Sequence, residues 1–223
     1  MHDDPWLLVV NKPSGLLSVP GRQRPAEHSL IGQVQRHWPS ARIVHRLDMD
    51  TSGLMVLARD ADTHRQLSRA FEQRQVDKTY QAWCFGRPSQ SQGTLCLPQI
   101  CDWPNRPRQK IDMRHGKPTR TQWQLTTEPT PLDARHQAFQ VDLTPITGRS
   151  HQLRLQMASL GHPILGDNLY APAMIQDLST RLMLHARYLG FVHPHTSQSM
   201  QFDLTLTDWH KTCLGERNNH DRS

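Results

Sequence analysis

Asp48 is the residue whose type and setting could do chemistry. It lies in His45-Arg46-Leu47-Asp48-Met49-Asp50-Thr51-Ser52-Gly53-Leu54, a stretch that stays polar and charged until an apolar run at 54–58 takes over. An acid near an arginine, just ahead of a strand-like run, is one way a scaffold holds a reactive carboxylate. Two readings follow. Asp48 is a nucleophile or general base in a cleft, aimed by the polar turn Thr51-Ser52-Gly53. Or it is a turn aspartate paired with Arg46, since structural ion pairs are common at such places.

A second constellation is Ile146-Thr147-Gly148-Arg149-Ser150-His151-Gln152-Leu153-Arg154. The glycine permits a sharp entry into a helix. Arg149 beside a helix N-terminus could meet an anion, because free backbone N–H groups point outward there. It could instead pair with Asp48 and keep it ionised, or lie on the surface. Tyr80, on a strand, reads either as core or as a stacking platform for a base. Trp103 with Arg106, Arg108 and Lys110 interleaves an aromatic with cations. That mixture suits single-stranded or looped RNA, where phosphates meet cations and unstacked bases meet rings. A solvated loop has the same composition.

Other chemistries are poorly supplied. There are fourteen histidines, and His193-Pro194-His195 sets two together, but no third ligand with metal-site spacing accompanies them and HExxH is absent. Cys84, Cys96, Cys101 and Cys213 form no CxxC or Cys/His cluster, which argues against zinc and against a disulfide framework. No GxGxxG or Walker loop is present, so no nucleotide cofactor is implied.

The elements that must position these residues can be read from periodicity and caps. Strands are expected at 6–10, 54–58, 79–85, 121–127, 138–143, 182–191 and 200–206. At 138–143 Phe139, Val141 and Leu143 alternate with Gln140 and Asp142, so one face is wet. Helices are expected at 29–38, behind an N-cap serine, at 60–73, capped by Asp60, and at 151–160. Residues 86–102 read as loop. The prolines in 102–110 exclude a helix there and suggest an exposed basic loop. Strands outnumber helices and several are consecutive. The fold class is therefore α+β, with a mixed, mostly antiparallel sheet and flanking helices.

The chain has 223 residues, a net charge of +6 and a pI near 9.5. It is long enough to bury roughly 70% of its unfolded surface. The basic balance favours a polyanion such as nucleic acid. A single domain over 1–215, with a fraying polar tail at 216–223, is the simplest organisation. The first residues are acidic where a signal peptide would be basic, and no apolar run approaches the ~20 residues of a membrane helix. A cytoplasmic protein with no membrane partner is expected.

Five segments in order, HRLDMDTSGL, KTYQAW, GKPTRTQWQL, PITGRSHQLRLQMASLGHPILGDNLY and LMLHARYL, carry a resemblance. They are similar to the RluA family of pseudouridine synthases, over nearly the whole chain. NKPSGLLSVPGR and ICDWPNRPRQK look like a member that modifies both tRNA and large-subunit ribosomal RNA. The resemblance implies the pseudouridine synthase catalytic fold and an isomerase that breaks the N-glycosidic bond of a uridine, turns the uracil and rejoins it through carbon 5. It implies no cofactor and no metal. Its catalytic aspartate maps to Asp48, the tyrosine over the target base to Tyr80, and the arginine paired with the aspartate to Arg149. Arg46 corresponds to the arginine that fills the gap left by the flipped uridine. Leu47 and Leu165 are candidate apolar walls. Expected partners are the anticodon stem-loop of tRNA and a hairpin of 23S ribosomal RNA, bound by a monomer. Many relatives carry a small basic RNA-binding domain in front, and this chain shows none. The resemblance also leads one to expect a strand or arm upstream of the first residue. Two rivals remain. A non-catalytic RNA-binding or RNA-folding protein on the same fold is opposed by the intact Asp48, Tyr80 and Arg149. A histidine/aspartate hydrolase of RNA lacks a metal set or a triad.

Overall fold

Residues 54–58 are almost fully buried on both faces, so this run can only be a central strand. The computed structural model describes residues 1–21, 25–131 and 137–205. In chain order the elements are β1 (His2–Asp3), β2 (Leu7–Lys12), α1 (Leu30–Gln35), β3 (Arg42–Ile43), β4 (Ser52–Ala58) and α2 (Ala61–Glu72). Next come β5 (Asp77–Phe85), β6 (Gln92–Leu95), β7 (Gln99–Cys101), β8 (Gln109–Ile111), β9 (Thr121–Leu125) and β10 (Thr130–Pro131). The last are β11 (Gln137–Pro145), α3 (Gln152–Ser159), α4 (Ala173–Gln176), β12 (Leu184–Val192) and β13 (Ser199–Asp203).

The main sheet runs β1-β2-β4-β12-β5-β11-β9-β6, with β3, β10 and β13 attached to β4, β11 and β12. Among its described pairings only β4 with β12 is parallel. This is the mixed, mostly antiparallel sheet expected. The parallel pair brings Ser52 opposite His185 and Gly53 opposite Ala186. Gly53 adopts φ +117°, and a Cβ there would stand 2.3 Å from the Ala186 carbonyl oxygen. Ser52 and Gly53 are therefore strand residues, not part of the turn expected at 51–53. Glycine is required because two backbones meet.

The helices follow their caps. Ser29 Oγ accepts from the Gly32 N–H, and the Asp60 carboxylate accepts from Asp62 and Thr63 at 2.8 Å. α1 buries Leu30, Ile31 and Val34 against the sheet. α2 turns Leu67 inward, with Ala70 and Phe71 half-buried beside it. α3 is buried nearly all round, including Gln152, Arg154 and Gln156. Its polar side chains are satisfied internally: Gln152 Nε2 donates to Thr121 Oγ1, Thr121 Oγ1 to Gln156 Oε1, and Gln156 Nε2 to Thr119 Oγ1.

The stretch read as loop is partly sheet. β6 completes the edge of the main sheet, and β7 and β8 pair as a separate antiparallel hairpin. Its tip carries one 3-10 turn, Trp103–Asn105, with Pro104 in the first turn, where a missing N–H costs nothing. β7 and β8 are three residues each and lack an apolar alternation long enough to read. The upper end of the strand expected at 200–206 and the tail at 216–223 lie outside the described residues. Among the described residues no helix is long and apolar enough to cross a membrane.

Candidate active site

Asp48 sits in the loop between β3 and β4, and the segment after β2 holds that loop from behind. Lys12 is fully buried, and its Nζ donates to the carbonyls of Pro13 at 2.9 Å, Leu16 at 2.7 Å and Met49 at 2.9 Å. Ser18 Oγ donates to the Leu47 carbonyl at 2.7 Å and accepts from the Leu47 N–H at 3.1 Å. Gly15 N–H donates to the Met49 carbonyl, and Ser14 Oγ to the Asp50 carbonyl. The turn closes with Thr51 N–H donating to Asp48 O at 3.2 Å. Both chain neighbours of Asp48 are thus pinned, and its side chain is left to the solvent side. Burial lowers the Lys12 ammonium to about 8, opposed by the nearby Asp50 and Asp48 charges, so it remains a cation at neutral pH.

His45 fixes the other end of the stretch. Its Nε2 accepts from the Val56 N–H at 3.1 Å, and its ring stacks on Phe71 with centroids 4.4 Å apart. Burial, helped by Lys78, drives its pKa down to about 3, so the imidazole is neutral. With Nε2 accepting, the proton is on Nδ1.

Asp48 opens into a cleft of about 670 Å³, within the range of small-ligand sites. Leu47, Tyr80 and Leu184 give it apolar walls, and Arg46, Arg74, Lys78 and Arg149 give it cations. Tyr80 is on β5, opposite Leu143 and Ala186 on the flanking strands. It packs against two of the core clusters. Burial and the Asp48 charge push its hydroxyl well above the ordinary range. Tyr80 is therefore both core and cleft wall. Leu165 is not on the wall. Its N–H donates to the Trp83 carbonyl and it packs in the core, while Leu184 takes the expected place.

Arg149 lines the cleft but is exposed. Its backbone N–H is taken by Gln152 Oε1 at 3.1 Å. Among the described residues, the basic group within 4.0 Å of the Asp48 carboxylate is His151, whose Nε2 is 4.0 Å from Oδ2. Neither the Asp48–Arg149 pair nor the Asp48–Arg46 pair forms. The chain takes a left-handed turn at His151, φ 56°, after which α3 begins. Arg149, Ser150 and His151 all line the cleft, the first two exposed and His151 partly buried.

Trp103, Arg106, Arg108 and Lys110 are exposed on the β7–β8 hairpin and do not line the cleft. The Arg106 guanidinium lies 4.5 Å above the Trp103 ring, and Trp103 is 66% exposed. The hairpin is nonetheless tied to the site. Gln99 Nε2 donates to the Ser150 carbonyl at 2.8 Å, and Gln109 N–H donates to the Tyr170 hydroxyl at 2.7 Å.

Lys12, Ser14, Ser18, His151 and Tyr170 are the site residues that sequence reasoning did not single out. A lysine at the end of an apolar strand gives no sign that it is buried under a loop 37 residues away. At the base of the cleft, which Arg154 also lines, Arg154 and Asp167 form a bidentate pair at 2.9 and 2.6 Å, 2% and 0% exposed. Among the described residues no group of three His, Cys, Asp or Glu side chains is placed to hold a metal.

Known proteins are similar to this chain in sequence and in fold. The family described as RNA pseudouridylate synthase matches residues 6–159. The "Dual-specificity RNA pseudouridine synthase RluA" of Escherichia coli (strain K12) is 47% identical over 91% of this chain and 90% of that protein. The protein of the same name from Salmonella typhi is 48% identical over the same shares. Among solved structures, human RNA Pseudouridylate Synthase Domain Containing 1 superposes with a TM-score of 0.77 at 27% identity, over 92% of this chain and 82% of that one. The chain belongs to the RNA pseudouridylate synthase family, isomerases that convert uridine in RNA to pseudouridine.

Proposed function

We propose that the chain modifies uridines in two RNAs, the tRNA anticodon loop and a hairpin of 23S ribosomal RNA, with Asp48 as its reactive carboxylate. The observation that carries the site assignment is Asp48 at the open cleft, backed by a rigid loop and walled by Tyr80 and cations. The relatives' name carries dual specificity for RNA, and the choice of the two RNAs follows the resemblance of NKPSGLLSVPGR and ICDWPNRPRQK. The protein acts as a cytoplasmic monomer.

A target base inside a stacked loop must be extruded, at a cost of a few kcal/mol. Arg46, exposed beside Asp48, fills the vacated space and meets phosphate. Tyr80 stacks on the flipped uracil. Asp48 then acts as an anion, either by attack at the sugar carbon 1′ or by helping to form a glycal. In both routes the bond from uracil N1 to the sugar breaks. The uracil turns and its carbon 5 bonds to carbon 1′, which releases the carboxylate in the first route and returns the sugar proton in the second; the carbon 5 proton then leaves and N1 gains one. Splitting the exchange into two steps is what a carboxylate offers. Arg149 answers the phosphates and, in the RNA complex, the Asp48 charge.

The test is a tRNA transcript tritiated at uridine carbon 5, incubated without added metal. Tritium release without strand cleavage is expected. Binding without release favours the non-catalytic RNA binder, and strand scission favours a hydrolase. The hairpin is the second contact. Arg108→Ala should weaken tRNA binding and flatten its salt dependence by about one phosphate contact. An unchanged slope of log Kd against log salt removes the hairpin from the interface.

A further inference from the structure

A line of contacts joins the hairpin to Asp48. The Tyr170 hydroxyl accepts from the Gln109 N–H at 2.7 Å and lies 2.9 Å from His151 Nδ1. The other ring nitrogen, Nε2, faces Asp48 Oδ2 at 4.0 Å. The protons can be assigned from both ends. The tyrosine oxygen accepts from Gln109, and the arrangement that also uses its own hydrogen donates it to Nδ1, 2.9 Å away. A neutral imidazole that accepts at Nδ1 carries its hydrogen on Nε2. The opposite tautomer would aim a lone pair at the carboxylate. Burial favours the neutral ring, against the pull of Asp48.

The backbone gives an independent sign. His151 takes φ 56°, ψ 17°, and its side chain makes no capping bond to the helix it starts. Such a conformation is uncommon for a residue other than glycine and marks a place where the surroundings hold the geometry.

We propose that His151 is a positioning residue for Asp48: its Nε2–H aims Oδ2 at the flipped nucleotide, and Tyr170 sets that tautomer while tying it to the RNA-binding hairpin. This rests on Asp48 being the reactive carboxylate. The 4.0 Å separation closes to a hydrogen bond when RNA fills the cleft, as active-site contacts commonly tighten in the complex. The Arg108 guanidinium lies 5.6 Å from the Tyr170 ring centre, so a phosphate drawn to Arg108 also loads the tyrosine that holds the imidazole.

The test follows single-turnover tritium release at saturating tRNA transcript, with Kd by filter binding and Tm measured in parallel. His151→Asn keeps a residue that tolerates the left-handed backbone but cannot reach Asp48. Its rate should fall about 10–100-fold, the usual effect of losing an orienting partner, while Kd and Tm stay near wild type. Tyr170→Phe keeps the ring and loses only the hydroxyl; it should fall in the same direction by a smaller factor. The double variant should be no slower than His151→Asn, because Tyr170 acts through the imidazole. Losses that multiply, or that track Kd or Tm, overturn the proposal in favour of a packing role. A wild-type rate in His151→Asn also overturns it, provided Asp48→Asn is inactive in the same assay. An active Asp48→Asn means instead that the underlying reading has failed. If His151→Asn does not fold, an unchanged rate in Tyr170→Phe decides against it.

Discussion

Asp48→Asn is expected to bind tRNA as well as the unaltered protein and to release tritium at least about a thousandfold more slowly, since removing the nucleophile of a covalent catalyst removes most of its rate. The substitution is nearly isosteric. The loop it sits in is held by backbone carbonyls and by Lys12, Ser14 and Ser18, none of which needs the carboxylate as a partner. Fold and cleft should therefore survive. What is lost is the anion, and a neutral amide neither attacks carbon 1′ nor takes a sugar proton. Removing a negative charge beside Arg46 and Arg149 should leave RNA affinity unchanged or slightly higher. Single-turnover release and filter binding on the same preparation check both halves. A rate within about tenfold of wild type would reject Asp48 as the reactive group. A rate loss matched by lost binding would make it a docking residue.

Asp167→Ala should produce the largest loss of stability of any single change near the site. Arg154 and Asp167 are buried with their forks matched, and the same carboxylate accepts from the backbone N–H groups of Leu169 and Tyr170. Deleting the acid leaves a buried guanidinium whose remaining partners among the described residues are Asn168 Oδ1 and the Tyr170 ring. Stranding one member of a buried pair costs about 3–5 kcal/mol, which corresponds to a Tm lower by roughly 10 °C in a chain of this size. Asp167→Asn keeps an acceptor for the two amides and should lie between. A calorimetric melt reads both. A drop of less than about 1 kcal/mol for the alanine variant would mean that the pair is hydrated and worth no more than a surface ion pair. Activity should fall further than stability explains, because this carboxylate also holds the turn that carries Tyr170.

The sequence by itself determined the family, the α+β class and most of the regular elements. The alternation in β11 and the caps at Ser29 and Asp60 are local signals, carried by neighbours in the chain, and each is present in the structure. It also placed Asp48, Arg46, Tyr80 and Arg149 among the residues to watch, and the structure gathers all four around one cleft. Periodicity says which face of a strand is buried but not which strand lies beside it. The parallel pairing of β4 with β12, the β7–β8 hairpin and the burial of Lys12 beneath the Asp48 loop were therefore decided only by tertiary structure. So was the partner of Asp48. The motif spacing drew attention to Arg149, but Arg149 lines the cleft as an exposed residue, and it is His151 Nε2 that comes to 4.0 Å from the Asp48 carboxylate. The chain passes His151 in a left-handed conformation, and the imidazole there meets Tyr170 at one nitrogen and faces Asp48 with the other.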